Sequence, residues 1–205
     1  MGLFDYFRKR VTPEELNRQA LELYDSGNYS KAAERARRSA EMGNAEGKLL
    51  YSSLLLVGKG VEQNIPESVV LAAEAAQAGY IPAMMSLSDW YMEGSFVEQD
   101  SKKGFGLMLR AAQTGYDVAQ EKLGWMYAHG RGTEEDPSKA RYWFEKAAAQ
   151  DNTDAQYALG LMYGAGIGVD ASIEKAYQWF AKAADLGHKK AIEQCEQILR
   201  DCGEA

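Results

Sequence analysis

A period of 36 residues runs through most of this chain and constrains its fold more than any single motif. A glycine, a pair of alanines and a later glycine recur at this spacing. They stand at Gly58, Gly94, Gly130 and Gly166, at Ala75-Ala76, Ala111-Ala112, Ala147-Ala148 and Ala183-Ala184, and at Gly79, Gly115 and Gly187, with Asp151 in the remaining slot. A fixed period of about 20 to 50 residues indicates a repeat protein, in which each unit buries its apolar face against its neighbours. The period therefore predicts a solenoid whose broad role is binding.

Each repeat reads as a first helix, a glycine-rich loop and a second helix. Apolar residues recur at helical spacing on both sides of the loop glycines. The second helix starts at a column of residues whose side chains can accept hydrogen bonds from free backbone N–H groups: Asn28, Asn64, Asp100, Asp136 and Ser172. The glycine after the alanine pair is typical of the left-handed residue that ends a helix. The predicted fold class is all-α, built from α/α repeats.

Small residues mark where the two helices of a repeat approach each other. Besides the alanine pairs of the second helix, the first helix carries a small-residue column, formed by Ser52, Ser88, Gly124 and Gly160. Larger residues that pack between helices are predicted three positions later, at Leu55, Tyr91, Tyr127 and Tyr163.

The repeat register divides the chain into four parts. Residues 1–11 form an N-terminal segment with apolar and then basic residues, and 12–43 form a shortened repeat that opens with the capping box Thr12-Pro13-Glu14-Glu15. Residues 44–187 hold four full repeats, and 188–205 form a capping helix and tail. We expect one continuous domain of about five helix pairs plus the C-terminal helix.

Two segments in the later repeats resemble a known family. Residues 119–130 (AQEKLGWMYAHG) and 155–163 (AQYALGLMY) are similar to the A-x-x-x-L-G-x-x-Y signature of Sel-one-like repeats, a subfamily of the tetratricopeptide repeat superfamily. Residues 166–184 match the second half of that pattern, and residues 23–32 look more like an ordinary tetratricopeptide repeat. The resemblance covers roughly residues 12–201. It implies a right-handed superhelix whose first helices line a concave groove, used as a scaffold or adaptor for other proteins.

Residues that vary between repeats are the candidates for binding, because uniform columns serve stacking. Two first-helix columns vary, and they predict a partner-binding surface on the concave face that contains Met85, Asp89, Glu121, Trp125, Tyr157 and Leu161. Trp125, Tyr157 and Met85 are the expected anchors, since aromatic and methionine side chains contribute much interface energy. The alternative is that these side chains only fill gaps between repeats.

Composition narrows the kind of partner. The net charge of −7 argues against nucleic acid, so the expected partner is a protein or peptide. The two cysteines, Cys195 and Cys202, provide no disulfide framework, and the N-terminus lacks the order of a secretory signal, so a cytoplasmic location is expected. We predict no cofactor, no metal at His129, His188 or the cysteines, and a monomer or weak homodimer.

Two other functions stay open from the sequence. Ser172 and Lys175 have the S-x-x-K spacing of penicillin-recognising hydrolases, although both also occupy regular repeat columns and no K-T-G or S-D-N element accompanies them. The basic stretch Arg8-Lys9-Arg10 follows the apolar residues Leu3, Phe4, Tyr6 and Phe7, and this segment could make the chain a membrane-surface adaptor or could cover the end of the first repeat. The prediction favours a non-enzymatic module without membrane contact.

Overall fold

A computed structural model describes residues 11–203 and shows helices with no strand in that range. The helices are α1 (Pro13–Asp25), α2 (Tyr29–Glu41), α3 (Ala45–Val57), α4 (Ile65–Gln77), α5 (Ile81–Glu93), α6 (Ser101–Gln113), α7 (Asp117–Ala128), α8 (Pro137–Ala148), α9 (Thr153–Ala165), α10 (Ile173–Asp185) and α11 (Lys189–Gly203). The all-α prediction is confirmed. The N-terminal segment whose membrane contact was considered lies outside the described residues, except for its last residue.

The chain forms two compact units, Met1–Leu87 and Ser88–Ala205, and α5 belongs partly to each. Within a unit, helices that are neighbours in the sequence pack together most extensively, as in α3 with α4 or α9 with α10. The candidate site described below lies wholly in the second unit. The predicted domain boundaries at residues 11, 43 and 187 stay predictions.

The predicted cap residues close four of the five second helices. The side chains of Asn64, Asp100, Asp136 and Ser172 each accept a hydrogen bond from the backbone N–H three residues later, at 3.0 to 3.2 Å. Asn28 stands at the predicted position, directly before α2, but the predicted hydrogen bond from its side chain does not form. Its φ is −86°, whereas φ at the other four lies between −145° and −155°, so the backbone after the short first loop turns differently.

The predicted left-handed residue lies two or three positions after the end of each second helix in the full repeats. The φ angles are +93°, +96° and +87° at Gly79, Gly115 and Gly187, and +61° at Asp151. Asp tolerates this region better than most residues that have a Cβ atom, which explains the one exception to glycine in the column.

The small-residue column is confirmed as the place where the two helices of a repeat meet. The contact across it is of two kinds. In the third and fourth full repeats, a Cβ atom at Gly124 would lie 2.6 Å from the Phe144 ring, and one at Gly160 would lie closer still to the Phe180 ring. In the first two full repeats, serines hydrogen-bond across the same junction: Ser52 Oγ donates to Ser68 O at 2.8 Å, and Ser88 Oγ donates to Gly104 O at 2.7 Å. The first helix therefore either receives an aromatic ring or forms a buried hydrogen bond.

Replacing Gly124 by alanine is expected to destabilise the second unit by about 1 kcal/mol, because the added methyl group has to displace the Phe144 ring. In an open part of a helix the same change stabilises by about 0.5 to 1 kcal/mol. Gly106 provides the matched control, since no atom lies within 4 Å of a Cβ built there. Urea denaturation followed by circular dichroism compares the two variants. Stabilisation by Gly124→Ala equal to that by Gly106→Ala would contradict the close approach.

Candidate protein-binding site

Trp125 lies on α7, is only partly buried, and is held in place by contacts with other aromatic rings. Its ring meets the edge of the Phe144 ring at 5.1 Å between centroids and lies tilted against His129 at 5.3 Å. His129 is fixed in turn, because its Nδ1 lies 3.0 Å from the backbone oxygen of Trp125. The indole thus occupies a defined position on the surface of the second unit. It lines two neighbouring cavities.

The first cavity, which we call the methionine pocket, has a volume of about 540 Å³. Buried methionines contribute much of its apolar lining, and charged side chains also line it. Its lining residues are Asp89, Met92, Glu93, Met108, Lys122, Trp125, Met126, His129 and Arg131. Lys122 Nζ lies 2.8 Å from Asp89 Oδ2, and this ion pair joins α5 to α7. Methionine side chains adapt to irregular partners, so a pocket of this kind suits an apolar side chain.

The second cavity, which we call the Glu121 pocket, has a volume of about 310 Å³ and lies between α7, α9 and α11. Its lining combines aromatic, acidic and basic residues: Glu121, Trp125, Asp154, Tyr157, His188, Lys189 and Lys190. Trp125 belongs to both pockets, so the two cavities adjoin along one indole.

His188 organises one wall of the Glu121 pocket. Its Nδ1 accepts a hydrogen bond from the Ala191 backbone N–H at 3.1 Å and thereby caps α11. The ring stacks on Tyr157 with 4.7 Å between centroids, and Nε2 lies 3.2 Å from Asp154 Oδ1. Because Nδ1 has to be unprotonated to accept from a backbone N–H, the proton sits on Nε2, which donates to Asp154. This arrangement fixes the Tyr157 ring.

Glu121 is the titratable group in the pocket that departs most from ordinary behaviour. Its pKa is raised to about 7, mainly by burial and also by the nearby charge of Asp154, although a hydrogen bond with Trp125 and the charge of Lys122 act in the opposite direction. The carboxyl group therefore exchanges its proton near neutral pH. Groups with such shifted pKa values cluster at functional sites, although structural networks also produce them.

The structure brings four of the six predicted binding residues to these pockets. Asp89 lines the methionine pocket, Glu121 and Tyr157 line the Glu121 pocket, and Trp125 lines both. Leu161 is exposed on α9 and lines neither pocket. Met85 lies on the part of α5 that belongs to the first unit, so the structure does not join it to this site. The binding role of all six residues stays a prediction.

Sequence reasoning missed several residues that line the pockets. Three methionines, Met92, Met108 and Met126, come from three different helices and look like ordinary core residues in the sequence. His188 shares its repeat position with Asn44 and Asn152, which cap α3 and α9 with side-chain hydrogen bonds of 2.6 and 2.9 Å. The two asparagines, although tyrosine stands at this position in Tyr80 and Tyr116, were the signal that could have placed His188 at a helix start.

Ser172 and Lys175 have structural roles in the fourth full repeat. The Ser172 hydroxyl oxygen accepts a hydrogen bond from the Lys175 backbone N–H at 3.2 Å and caps α10. The Lys175 ammonium group lies over the Tyr163 ring, 5.3 Å from its centre. The same lysine–tyrosine contact recurs in the second and third full repeats, for Lys103 over Tyr91 and Lys139 over Tyr127. The S-x-x-K spacing therefore has a complete explanation in the repeat.

No cluster of three or more possible metal ligands occurs among residues 11–203. In the same range, no helix has both the length and the apolar character needed to cross a membrane.

The Sel1 repeat family matches residues 45–80, 81–116, 117–152 and 153–188. These four matches cover more than half of the sequence, and the chain therefore belongs to the Sel1 repeat family, a tetratricopeptide-like family. Sel1 repeat proteins are in general scaffolds for protein interactions, and the fold is typically non-enzymatic. The resemblance predicted from residues 119–130 and 155–163 is confirmed.

Solved structures support the fold class. A Sel1 repeat protein from Oxalobacter formigenes matches with a TM-score of 0.79 and 25% identity, over 91% of this chain and 76% of that one. A protective antigen present in uropathogenic Escherichia coli strains, which displays an SLR fold, matches with a TM-score of 0.78 and 24% identity. The match covers 89% of this chain but only 40% of the antigen, so this chain spans less than half of that protein's length. No curated protein matches this chain.

Proposed function

We propose that this chain is a non-enzymatic interaction module that docks an extended segment of a partner protein across the methionine pocket and the Glu121 pocket. The observation that carries the proposal is the position of Trp125, which lines both cavities and is only partly buried. A partly exposed tryptophan between two cavities is the kind of residue that dominates binding energy at interfaces. A segment lying over Trp125 places one side chain in each pocket.

The chemistry of the methionine pocket suits an apolar or aromatic side chain of the partner. Met92, Met108 and Met126 are buried, so an incoming apolar group meets a preformed apolar surface. Lys122 and Asp89 neutralise each other at this pocket, so neither attracts an ion strongly. This pocket supplies burial energy, and the charged residues around both pockets supply orientation.

We place the module in a reducing compartment such as the cytoplasm, as its sequence predicts. Cys195 is partly buried and Cys202 is exposed, and both are free thiols. A protein or peptide partner also fits the acidic composition of the chain better than nucleic acid does.

The replacement Trp125→Ala is expected to weaken peptide binding at least tenfold, because it removes the side chain shared by the two pockets. A phage library of random twelve-residue peptides, selected on the native protein, supplies the ligands. Dissociation constants of the selected peptides for native and variant protein are then measured by fluorescence polarisation. Circular dichroism at the same temperature verifies that the variant stays folded, since Trp125 also contacts Phe144.

Tyr142→Ala is the matched control for that experiment. Tyr142 is an exposed aromatic residue on α8 that contacts Trp143 and Lys146 and lines neither pocket. We expect affinities within about twofold of the native protein, as for most residues outside a hot spot. Peptides that lose affinity with Tyr142→Ala and keep it with Trp125→Ala would contradict the proposed site.

A further inference from the structure

The Glu121 pocket brings together two aromatic side chains and two carboxyl groups. Trp125 and Tyr157 line it together with Glu121 and Asp154. The faces of aromatic rings attract cations through their quadrupole, and carboxylates form the strongest hydrogen bonds with ammonium and guanidinium groups. Protein pockets with this combination of side chains suit a positively charged group.

The cations near Glu121 do not neutralise it. Lys122, the next residue on α7, is paired with Asp89 at 2.8 Å. Lys189 and Lys190 are exposed at the start of α11, where water and salt screen their charges. His188 uses its ring nitrogens for other contacts, because Nδ1 lies at the Ala191 backbone N–H and Nε2 faces Asp154. Among residues 11–203, Glu121 takes part in no ion pair.

The surroundings of Glu121 make its negative charge costly. The side chain is partly buried, and Asp154 on α9 and Asp117 on α7 add like charge. A docked segment displaces more water from the pocket, and a carboxylate that loses water without gaining a partner becomes still less favourable. A basic side chain of the segment offsets this cost, whereas an apolar or acidic one does not.

We infer that the Glu121 pocket takes a lysine or arginine side chain of the docked segment. The charged head contacts Glu121 and Asp154, and the aliphatic stem lies along Trp125 and Tyr157. The inference rests on the proposed function, because the segment is the one that crosses Trp125. A volume of about 310 Å³, at the low end for ligand pockets, accommodates one long side chain.

The test uses three short probes of defined charge at pH 8: acetyl-Gly-Lys-Gly-amide, the same peptide with norleucine, and the same peptide with glutamate. Nuclear magnetic resonance follows the side-chain carboxyl carbon of Glu121 and the indole N–H of Trp125 while each probe is added. We expect saturable shifts from the lysine probe alone. Glu121→Gln is expected to weaken its binding by about fivefold or more. Lowering the pH to 5.5 is expected to weaken binding to the native protein similarly, since Glu121 is then protonated.

The charge of the probe that binds decides the result. Equal shifts from the lysine and norleucine probes, or no shifts from either, would overturn the inference. Preferential binding of the glutamate probe would also overturn it and would assign the pocket to an acidic side chain held by Lys189 and Lys190. The peptides selected on the native protein separate this failure from that of the proposed function. If the selected peptides lose affinity with Trp125→Ala but contain no lysine or arginine whose removal weakens binding, the proposed docking site stands. Only the preference of the Glu121 pocket for a basic side chain is then wrong.

Discussion

Replacing Phe144 by alanine is expected to lower the free energy of unfolding of the second unit by about 3 to 5 kcal/mol. Phe144 is only 1% exposed, and its ring fills the notch that Gly124 leaves on α7. The ring also supports Trp125 through an edge contact at 5.1 Å. Gly124 has no side chain that could move into the vacated space, so the variant keeps a cavity. Urea denaturation followed by circular dichroism measures the loss.

The control for this variant is Tyr142→Ala on the same helix. Tyr142 is 51% exposed, and a change of at most about 0.5 kcal/mol is expected there. A second check combines Phe144→Ala with Gly124→Ala, because the cost of the added methyl group should disappear when the ring is absent. If the two changes are simply additive, or if Phe144→Ala costs less than about 1 kcal/mol, the ring does not hold the two helices together.

Glu121→Gln is expected to stabilise the protein relative to the native chain, and the advantage should grow by about 2 kcal/mol between pH 5 and pH 8. The pKa of Glu121 rises from an ordinary value of 4.5 to about 7 on folding. Between these values the folded state binds the proton more tightly than the unfolded state does. The native protein therefore loses stability as the pH rises through this window, and the loss levels off above about pH 7. The variant does not lose stability in this way, because glutamine carries no charge at any of these pH values.

Urea denaturation at several pH values measures this effect as the difference between variant and native protein, which cancels the contributions of other groups. Glu134→Gln, in the exposed loop before α8, serves as the matched control for a glutamate outside the pocket. A difference for Glu121→Gln that stays constant from pH 5 to pH 8 would show that this carboxyl group titrates as it does in water.

The repeat period allowed most of the fold to be predicted from the sequence. The second-helix caps at Asn64, Asp100, Asp136 and Ser172 and the left-handed residues after those helices follow from local rules about single backbone positions. The side chain of Asn28 makes no capping hydrogen bond, because the shorter loop before it changes φ at that position. Local rules thus fail where the length of a connection changes the backbone they act on.

The residues that pack against the small-residue column could not be predicted in the same way. Gly124 meets Phe144 and Gly160 meets Phe180, residues 20 positions away on another helix. The corresponding second-helix residues in the earlier repeats are Ala72 and Met108, where the first helix has serine. The correlation of glycine with phenylalanine is present in the sequence. Recognising it as a contact requires the geometry with which the two helices cross.

The residues that line the candidate binding site were predictable only in part, again because the spacing between helices is not visible in the sequence. Variation between repeats identified Trp125, Glu121, Tyr157 and Asp89, because these positions are not needed for uniform stacking. It also selected Met85 and Leu161, which vary equally but line neither pocket. The methionines of the methionine pocket could not be recognised from the sequence, since an apolar residue on a helix is usually a core residue. Which variable positions share a cavity depends on distances between helices.

The two kinds of helix junction also determine how such a chain can be recombined. A first helix with Gly124 needs a phenylalanine opposite, and a first helix with Ser52 needs the Ser68 carbonyl to accept its hydroxyl proton. Exchange of a single helix between repeats of different kinds would create either a clash with a ring or a cavity and an unpaired hydroxyl. The smallest piece that can be duplicated or grafted without repair is therefore a first helix together with its own second helix.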